Sequence, residues 1–590
     1  MKSLLKYLKD YKKESILAPL FKMLEASFEL FIPLVVASII DVGIGNQDKR
    51  HILSMGLVMI LLGVIGLVCA ITAQFFAAKA ATGFARKLRF AMFSHIQNLS
   101  YSKLDTVGTS TLITRMTSDV NQVQSGVNMF LRLFLRSPFI VIGAMVMAFY
   151  VDSKAAVVFA VAIPVLSVVV FGIVFTNIPL YKKVQNGLDK VTLATRENLN
   201  GIRVIRAFNQ EDEQIADFDE KNQALTGIQL FAGRISALLN PVTYVIINVA
   251  LIILLQKGAI RVDSGAISQG DVVALVNYMS QILVELVKLA NLIVTLTKAM
   301  ACASRIEATM EVPEGMECAE KEKGSAYSAN NDNGIDISHG LDVNDACVVF
   351  DRVNFTYEGS GAEVLTNMDF SVQKGETVGI IGGTGSGKSS LVQLIPRFYD
   401  ATVGSVSVNG KNVKDYEINE LRKKIGIVPQ KAALFKGTIR ENILFGAPDA
   451  DEEAIMEAIT VAQAKEFIEK KDGGLDAPVG QGGRNLSGGQ RQRLTIARAL
   501  VRRPEILILD DSCSALDYAT DAALRAGIKG LSYKPTVFIV SQRTASIQYA
   551  DKIVVLDDGD IAGIGTHEEL LKDCEVYREI YDSQYKKTNY

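Results

Sequence analysis

Six long apolar stretches crowd the first half of the 590-residue chain, at about 17–41, 52–78, 128–150, 155–178, 229–256 and 270–297. A bilayer core needs roughly 20 apolar residues of helix. Within lipid such a segment satisfies its own N–H and C=O groups only by being helical. The chain is therefore expected to begin with six transmembrane helices.

Most of the connections are short, but 79–127 and 179–228 are long and keep helical periodicity. If the second helix runs unbroken from His51 to about Asn98, it is about 70 Å long at ~1.5 Å per residue and projects far beyond the bilayer. The N-terminal tail and the segments 83–127 and 179–228 hold seventeen lysines and arginines, whereas the three opposite loops hold five: Lys49, Arg50, Lys154, Lys257 and Arg261. That bias puts both termini and both long extensions on the cytoplasmic side. The basic, amphipathic MKSLLKYLKDYKKES lacks a cleavable signal pattern and reads as an interfacial lead-in helix.

Charges inside the spans are expensive and face a cavity or a partner. Glu25 and Glu29 stand one turn apart in the first span, and Glu285 and Lys288 are spaced i, i+3 in the sixth. Either they contact a substrate, or Glu285 and Lys288 satisfy each other and Glu25 sits near the interface. Arg132 and Arg136 open the third span, where snorkelling toward the cytoplasm is expected. Pro33, Pro138, Pro164 and Pro241 fall within spans, with Asn240–Pro241 the best candidate for a local break.

Residues 313–346 are polar, acidic and rich in Gly, Asn and Ser, and read as a tether between 1–312 and 347–590. From Cys347 onward short β-rich runs alternate with helices: CVVFDRVNFTY, ETVGII, KIGIVPQ, ILILDD, TVFIVSQ and KIVVLDD. Such alternation implies a mostly parallel sheet flanked by helices, with ligand at the carboxyl ends of the strands. The expected fold class is thus membrane α-helical, followed by an α/β domain that the glycine-rich stretch Gly382–Ser389, reading G-x-x-x-x-G-K-S, makes a P-loop nucleotide-binding domain.

The P-loop is explicit. Gly382, Gly383, Thr384, Gly385, Ser386, Gly387, Lys388, Ser389 and Ser390 lie between a β-leaning run and an apolar helical one. The glycines let backbone N–H groups converge on phosphate at a helix N-terminus. Lys388 then reaches the β- and γ-phosphates, and the Ser389 hydroxyl ligates Mg²⁺. Asp510, ending the buried-strand pattern EILILDD, is the expected second-shell partner of that Mg²⁺. A net charge of −2 argues against a nucleic-acid partner. The six scattered cysteines form no C-x-x-C pair, which indicates neither a metal site nor a disulfide framework.

LSGGQRQR, Leu486 to Arg493, completes a set with the P-loop and ILILDD. Together they resemble the ATP-binding cassette of ABC transporters, and the six preceding spans resemble a half-size exporter of the multidrug or lipid-flippase type. The resemblance implies that Tyr357 stacks on adenine and that Gln430 touches Mg²⁺ and the attacking water. It implies that Ser487, Gly488, Gly489 and Gln490 cap ATP held by a second cassette, since that family works as head-to-tail dimers. Ser514–Asp517 would cross to the other nucleotide site, and segments near 104–115 and 201–210 would form coupling helices.

Two positions depart from the family pattern. The general-base glutamate after Asp510 is replaced by Asp511, one methylene shorter, and a base must come within about 3 Å of its proton. The switch histidine after TVFIVS is replaced by Gln542, which hydrogen-bonds but cannot carry a proton's charge. Gln481 stands where a glutamate is usual. These departures predict slow hydrolysis at this chain's own ATP site and a second half-transporter as heterodimer partner, one with intact Glu and His. The expected protein is a multi-pass cell-membrane ATPase, with ATP and Mg²⁺ as cofactors, exporting a hydrophobic or amphipathic substrate. A regulatory, nucleotide-gated subunit and a siderophore-type importer subunit are the alternatives.

Overall fold

The structure is a computed structural model and describes residues 3–316 and 346–585. Most of the expected tether, 317–345, lies outside the described residues. The described chain divides into two compact units: 1–97 with 109–313, and 98–108 with 314–590.

The first unit is helical. Its members are α1 (Lys12–Ser38), preceded by a tight helical lead-in Leu4–Tyr11, then α2 (Lys49–Asn98), and later α4 (Thr109–Thr114), α5 (Val120–Leu133) and α6 (Arg136–Val151). They are followed by α7 (Ser153–Ala207), α8 (Glu211–Ala237), α9 (Leu239–Asp263) and α10 (Gln269–Met310). Six of the resulting helical stretches are long and apolar enough to cross a membrane. α2 is unbroken over 50 residues, about 75 Å at 1.5 Å per residue. Small residues let these helices close up: a Cβ on Gly270 would stand 2.4 Å from the Ala37 carbonyl oxygen. The helical break expected near Asn240–Pro241 falls at Leu238, between α8 and α9.

One expectation is corrected at the far end of α7. The segment 201–210 is no separate short helix: α7 continues through it to Ala207, and only a turn separates it from α8. The other segment does form a short helix, α3 (Tyr101–Val107), a few residues earlier than expected and capped by Ser100.

The second unit carries two principal sheets. β3 (Thr377–Gly382), β6 (Ile425–Val428), β9 (Ile506–Asp510), β10 (Thr536–Val540), β11 (Lys552–Asp557) and β12 (Asp560–Gly565) form one in the order β12-β11-β3-β10-β9-β6. All its pairings are parallel except β11–β12. The mostly parallel reading does not extend to CVVFDRVNFTY. β1 (Ala346–Phe355) pairs antiparallel with β2 (Leu365–Gln373) and with β4 (Val403–Val408), and β5 (Lys411–Asn412) completes a four-stranded antiparallel sheet. No crossover helix separates β1 from β2, and a short connection permits only the antiparallel pairing. A two-residue pair, β7 (Gly437–Thr438) with β8 (Pro478–Val479), is separate. β9 and β10 are buried at every residue, as expected for the centre of a sheet covered on both faces.

Candidate nucleotide site and intramembrane charge cluster

β3 ends at Gly382, and α11 (Lys388–Leu394) begins six residues later. Between them Gly385 and Gly387 adopt φ of +90° and +89°, a left-handed backbone that glycine adopts without steric cost. A Cβ on Gly387 would also stand 2.6 Å from Leu365 Cδ2. The Lys388 ammonium is buried and donates to the carbonyls of Gly382 (3.0 Å) and Gly383 and to Ser386 Oγ (3.3 Å). Burial pulls its pKa below the ordinary lysine value, against the opposing pull of Asp511 and Asp510. Thr384 and Gly383 are exposed on the rim of this loop.

The Ser389 hydroxyl donates to Asp510 Oδ1 at 2.7 Å. Burial raises the Asp510 carboxyl above its usual value. This hydroxyl–carboxylate pair at the tip of the buried strand β9 is the hard-oxygen donor set that suits Mg²⁺. Asp511 follows in the left-handed region, φ +45°, with its N–H bonded to the Val540 carbonyl. Its Oδ2 accepts from Gln430 Nε2 at 3.4 Å. Gln542 is exposed, and its carbonyl accepts from Gln584 at 2.7 Å. So Lys388, Ser389, Asp510, Asp511 and Gln430 converge at the carboxyl ends of β3, β9 and β6.

Tyr357 reaches the same loop from the antiparallel sheet, its hydroxyl 2.8 Å from Ser390 Oγ. Its ring meets Phe355 and Tyr399 edge-on at 4.7 and 5.1 Å between centroids. The Tyr399 hydroxyl in turn donates to Asp105 of α3 at 2.6 Å. Tyr101 of α3 stacks on Phe398 at 4.4 Å, and Ser102 and Lys103 both bond Glu358. α3 thus rests on the two residues that flank the Tyr357 ring, Glu358 in sequence and Tyr399 in space. Tyr399 and Glu358 were not singled out by motif reasoning, because neither lies in a recurrent string.

The signature stands apart from the P-loop in its use of side chains. Ser487 caps the helix Gly488–Leu500 through a reciprocal box with Gln490. Gly488 is exposed, and a Cβ placed on it meets nothing within 4 Å. This chain's own packing therefore does not require glycine there. A ligand approaching the helix N-terminus from outside would.

In the first unit the structure overturns the snorkelling expected for Arg136. Its side chain is only 8% exposed, and the guanidinium donates to Glu285 of α10 and, at 2.7 Å, to Glu29 of α1. Ser137 donates to the other Glu285 oxygen at 2.8 Å, and Lys288 bonds Glu285 at 2.8 Å. Glu285 and Lys288 do bond each other, but as part of a larger cluster. Glu25 pairs with Lys22 and lies 3.9 Å from Arg136. Arg136 can join three spans because guanidinium offers a planar fork of donors. Beside it opens a cleft of about 350 Å³ whose lining includes Glu29, Asn277, Ser280, Gln281, Glu285 and Lys288. The last five share one stripe of α10, spaced i, i+3, i+4, i+8, i+11. That spacing was visible in the sequence for Asn277, Ser280 and Gln281, which hydropathy averaging hides.

Comparison with known proteins agrees with this geometry. Residues 15–286 match the model of the ABC transporter transmembrane region, and residues 365–514 match that of the ABC transporter. The uncharacterized ABC transporter ATP-binding protein YfiB of Bacillus subtilis is 37% identical over 585 residues, covering 99% of each chain. The putative multidrug export ATP-binding/permease protein YgaD of Bacillus subtilis is 32% identical, covering 99% of this chain and 98% of its own. A solved structure of a bacterial Atm1-family ABC exporter with ATP bound shares the fold, with a TM-score of 0.79 at 22% identity over 98% of this chain and 99% of that one.

Proposed function

Because the chain belongs to the ABC transporters, as a membrane-embedded half-transporter of exporter type that uses ATP, we propose that it is the weakly hydrolysing member of a heterodimeric exporter. One observation carries this reading. Every group expected to bind ATP is intact, while the two positions that act on the attacking water and the γ-phosphate hold Asp511 and Gln542. Retention of the signature makes sense beside them only if another chain uses it, and the open surroundings of Gly488 fit that use.

In this reading 1–312 is the transmembrane domain, 313–346 a tether and 347–590 the cassette. The excess of lysine and arginine on the tail and long extensions supports a cytoplasmic position for termini and cassette. Tyr357 supplies a flat face for adenine. The P-loop N–H groups and Lys388 hold the phosphates, releasing the Lys388 ammonium from its own loop carbonyls. Ser389 and Asp510, with Gln430, would hold Mg²⁺, whose charge offsets that of the phosphates. Ser487, Gly488, Gly489 and Gln490 cap the partner's ATP, which the partner's own glutamate and histidine hydrolyse. ATP at Lys388 stays bound longer, and closing of the cassettes turns the substrate cavity outward.

The test is to purify the tagged chain gently from its native membrane and identify by mass what accompanies it. A second half-transporter with Glu and His at the positions of Asp511 and Gln542 is expected. Lys388→Ala should then impair turnover less than the equivalent change in the partner. Vigorous ATPase activity by a homodimer, abolished by Asp511→Asn, would sink the proposal.

A further inference from the structure

Glu29 lies at the middle of the first apolar stretch and Lys288 close to the middle of the sixth. Their side chains are 38% and 42% exposed. An exposed ion at mid-bilayer depth does not face acyl chains, since leaving it there costs several kcal/mol or more. It faces a water-filled cavity, a ligand or a partner chain. Both line the cleft beside Arg136.

The charges behind them are already paired, although the buried Arg136 Nε has no hydrogen-bond partner among the described residues. Arg136 and Glu285 are 8% and 3% exposed and bonded to each other, and Ser137 occupies the second oxygen of Glu285. Glu29 uses only Oε2, on Arg136, and its Oε1 has no hydrogen bond among the described residues. Lys288 uses one of its three protons, on Glu285 Oε1. The cleft therefore presents one spare carboxylate oxygen and spare ammonium protons, joined through a closed ionic pair. The group Glu29, Arg136, Glu285 and Lys288 has no net charge. In the same cleft, Asn277, Ser280 and Gln281 add neutral hydrogen-bonding groups, and the buried Gln281 Oε1 has no partner among the described residues. Ile32, Val36 and Ile140 supply apolar wall.

We propose that this cleft binds the zwitterionic head of an amphipathic substrate, with an ammonium against Glu29 and an anionic group against Lys288. The inference rests on the exporter reading for the substrate's later movement, though not for its binding. A purely cationic head would satisfy Glu29 and leave Lys288 facing like charge. A purely anionic head would do the reverse. Only a head carrying both charges meets both ends, and its second charge-assisted contact is worth about tenfold or more in affinity. The neutral stripe adds hydrogen bonds for either kind of head and sets no preference between the charges.

The test uses the full complex in nanodiscs and three NBD-labelled alkyl amphiphiles that differ only in the head: an amine, a carboxylate and an α-amino acid. Fluorescence titration without ATP is expected to give the amino acid about tenfold tighter binding than either relative. Glu29→Gln should bring its affinity down to that of the carboxylate, and Lys288→Gln down to that of the amine. Gln281→Leu should weaken the amino acid without changing the order of the three. Lys288→Gln and Gln281→Leu leave the Arg136 bonds in place, so the test does not depend on Glu29→Gln folding. The proposal is overturned if the amino acid binds no tighter than the better of the singly charged probes, or if Lys288→Gln does not abolish its advantage over the amine. ATP-driven movement of the bound probe is read separately in proteoliposomes. Binding with the expected charge pattern but no movement would count against the exporter reading and leave the site standing.

Discussion

Replacing Asp511 by glutamate tests whether one methylene is what slows this chain's own ATP site. Asp511 is anchored by its backbone: its N–H bonds Val540, and its carbonyl accepts from Ser514 Oγ at 2.8 Å. Its carboxylate touches Gln430 at 3.4 Å. With the backbone fixed, a glutamate extends the carboxylate by one C–C bond, about 1.5 Å. General-base contact needs about 2.6–3.2 Å, so a deficit of that size removes most of the benefit. A positioned base contributes about a hundredfold to ten-thousandfold, which is roughly 3–5 kcal/mol of barrier. The substitution also has a cost. The left-handed φ of +45° is tolerated by aspartate but costs other side chains about 1–2 kcal/mol. Asp511→Glu should therefore lower the melting temperature slightly while speeding hydrolysis, and Asp511→Glu with Gln542→His should speed it most. The assay is single-turnover hydrolysis by the heterodimer whose partner P-loop lysine is changed to alanine, so that only this chain's site reports. No acceleration in the double variant would refute the argument from reach. So would native single-turnover hydrolysis at this site already as fast as the partner's.

Three further outcomes are expected. Arg136→Met strands buried Glu285 and should destabilise the membrane unit by about 3–5 kcal/mol, read as thermal unfolding of the full complex; an unchanged transition would show that Lys288 alone suffices. Tyr399→Phe removes the bond to Asp105 and should lower transport per ATP hydrolysed while leaving ATP affinity within about fivefold, the loss of one exposed bond being worth ~1 kcal/mol or less; equal transport stoichiometry would exclude α3 as a reporter of this site. Gly488→Ala should leave this chain's stability within about 0.5 kcal/mol, because nothing surrounds the added Cβ, yet depress hydrolysis at the partner's site; unaffected turnover would mean the signature is not used across the dimer.

What the sequence made legible follows from the range of each interaction. The P-loop, the Asp510 strand and the signature are short strings whose chemistry is local, and the six spans follow from average hydropathy. The antiparallel course of β1 was missed, although the short connection to β2 carried the signal. Arg136 was not legible, because its fate is set by Glu29 and Glu285, 107 and 149 residues away. Viewed alone at the start of an apolar stretch, an arginine has water within reach of its long stem. Only the tertiary approach of α1 and α10 offers it two carboxylates instead. Tyr399 and Asp105, 294 residues apart, were hidden for the same reason.

That separation also has a consequence for biosynthesis. Arg136 enters the membrane with Glu29 already made, but Glu285 is added 149 residues later, roughly 7–30 s at ordinary elongation rates of about 5–20 residues per second. During that interval the third span carries a guanidinium matched by Glu29 and, more distantly, Glu25, both on the first. The late arrival of the sixth span must bring its own acid to the spot. A ribosome that stalls before Glu285 therefore leaves a nascent chain whose arginine has its first-span carboxylates but not its sixth-span one. The ion cluster is complete only once the sixth span has been delivered.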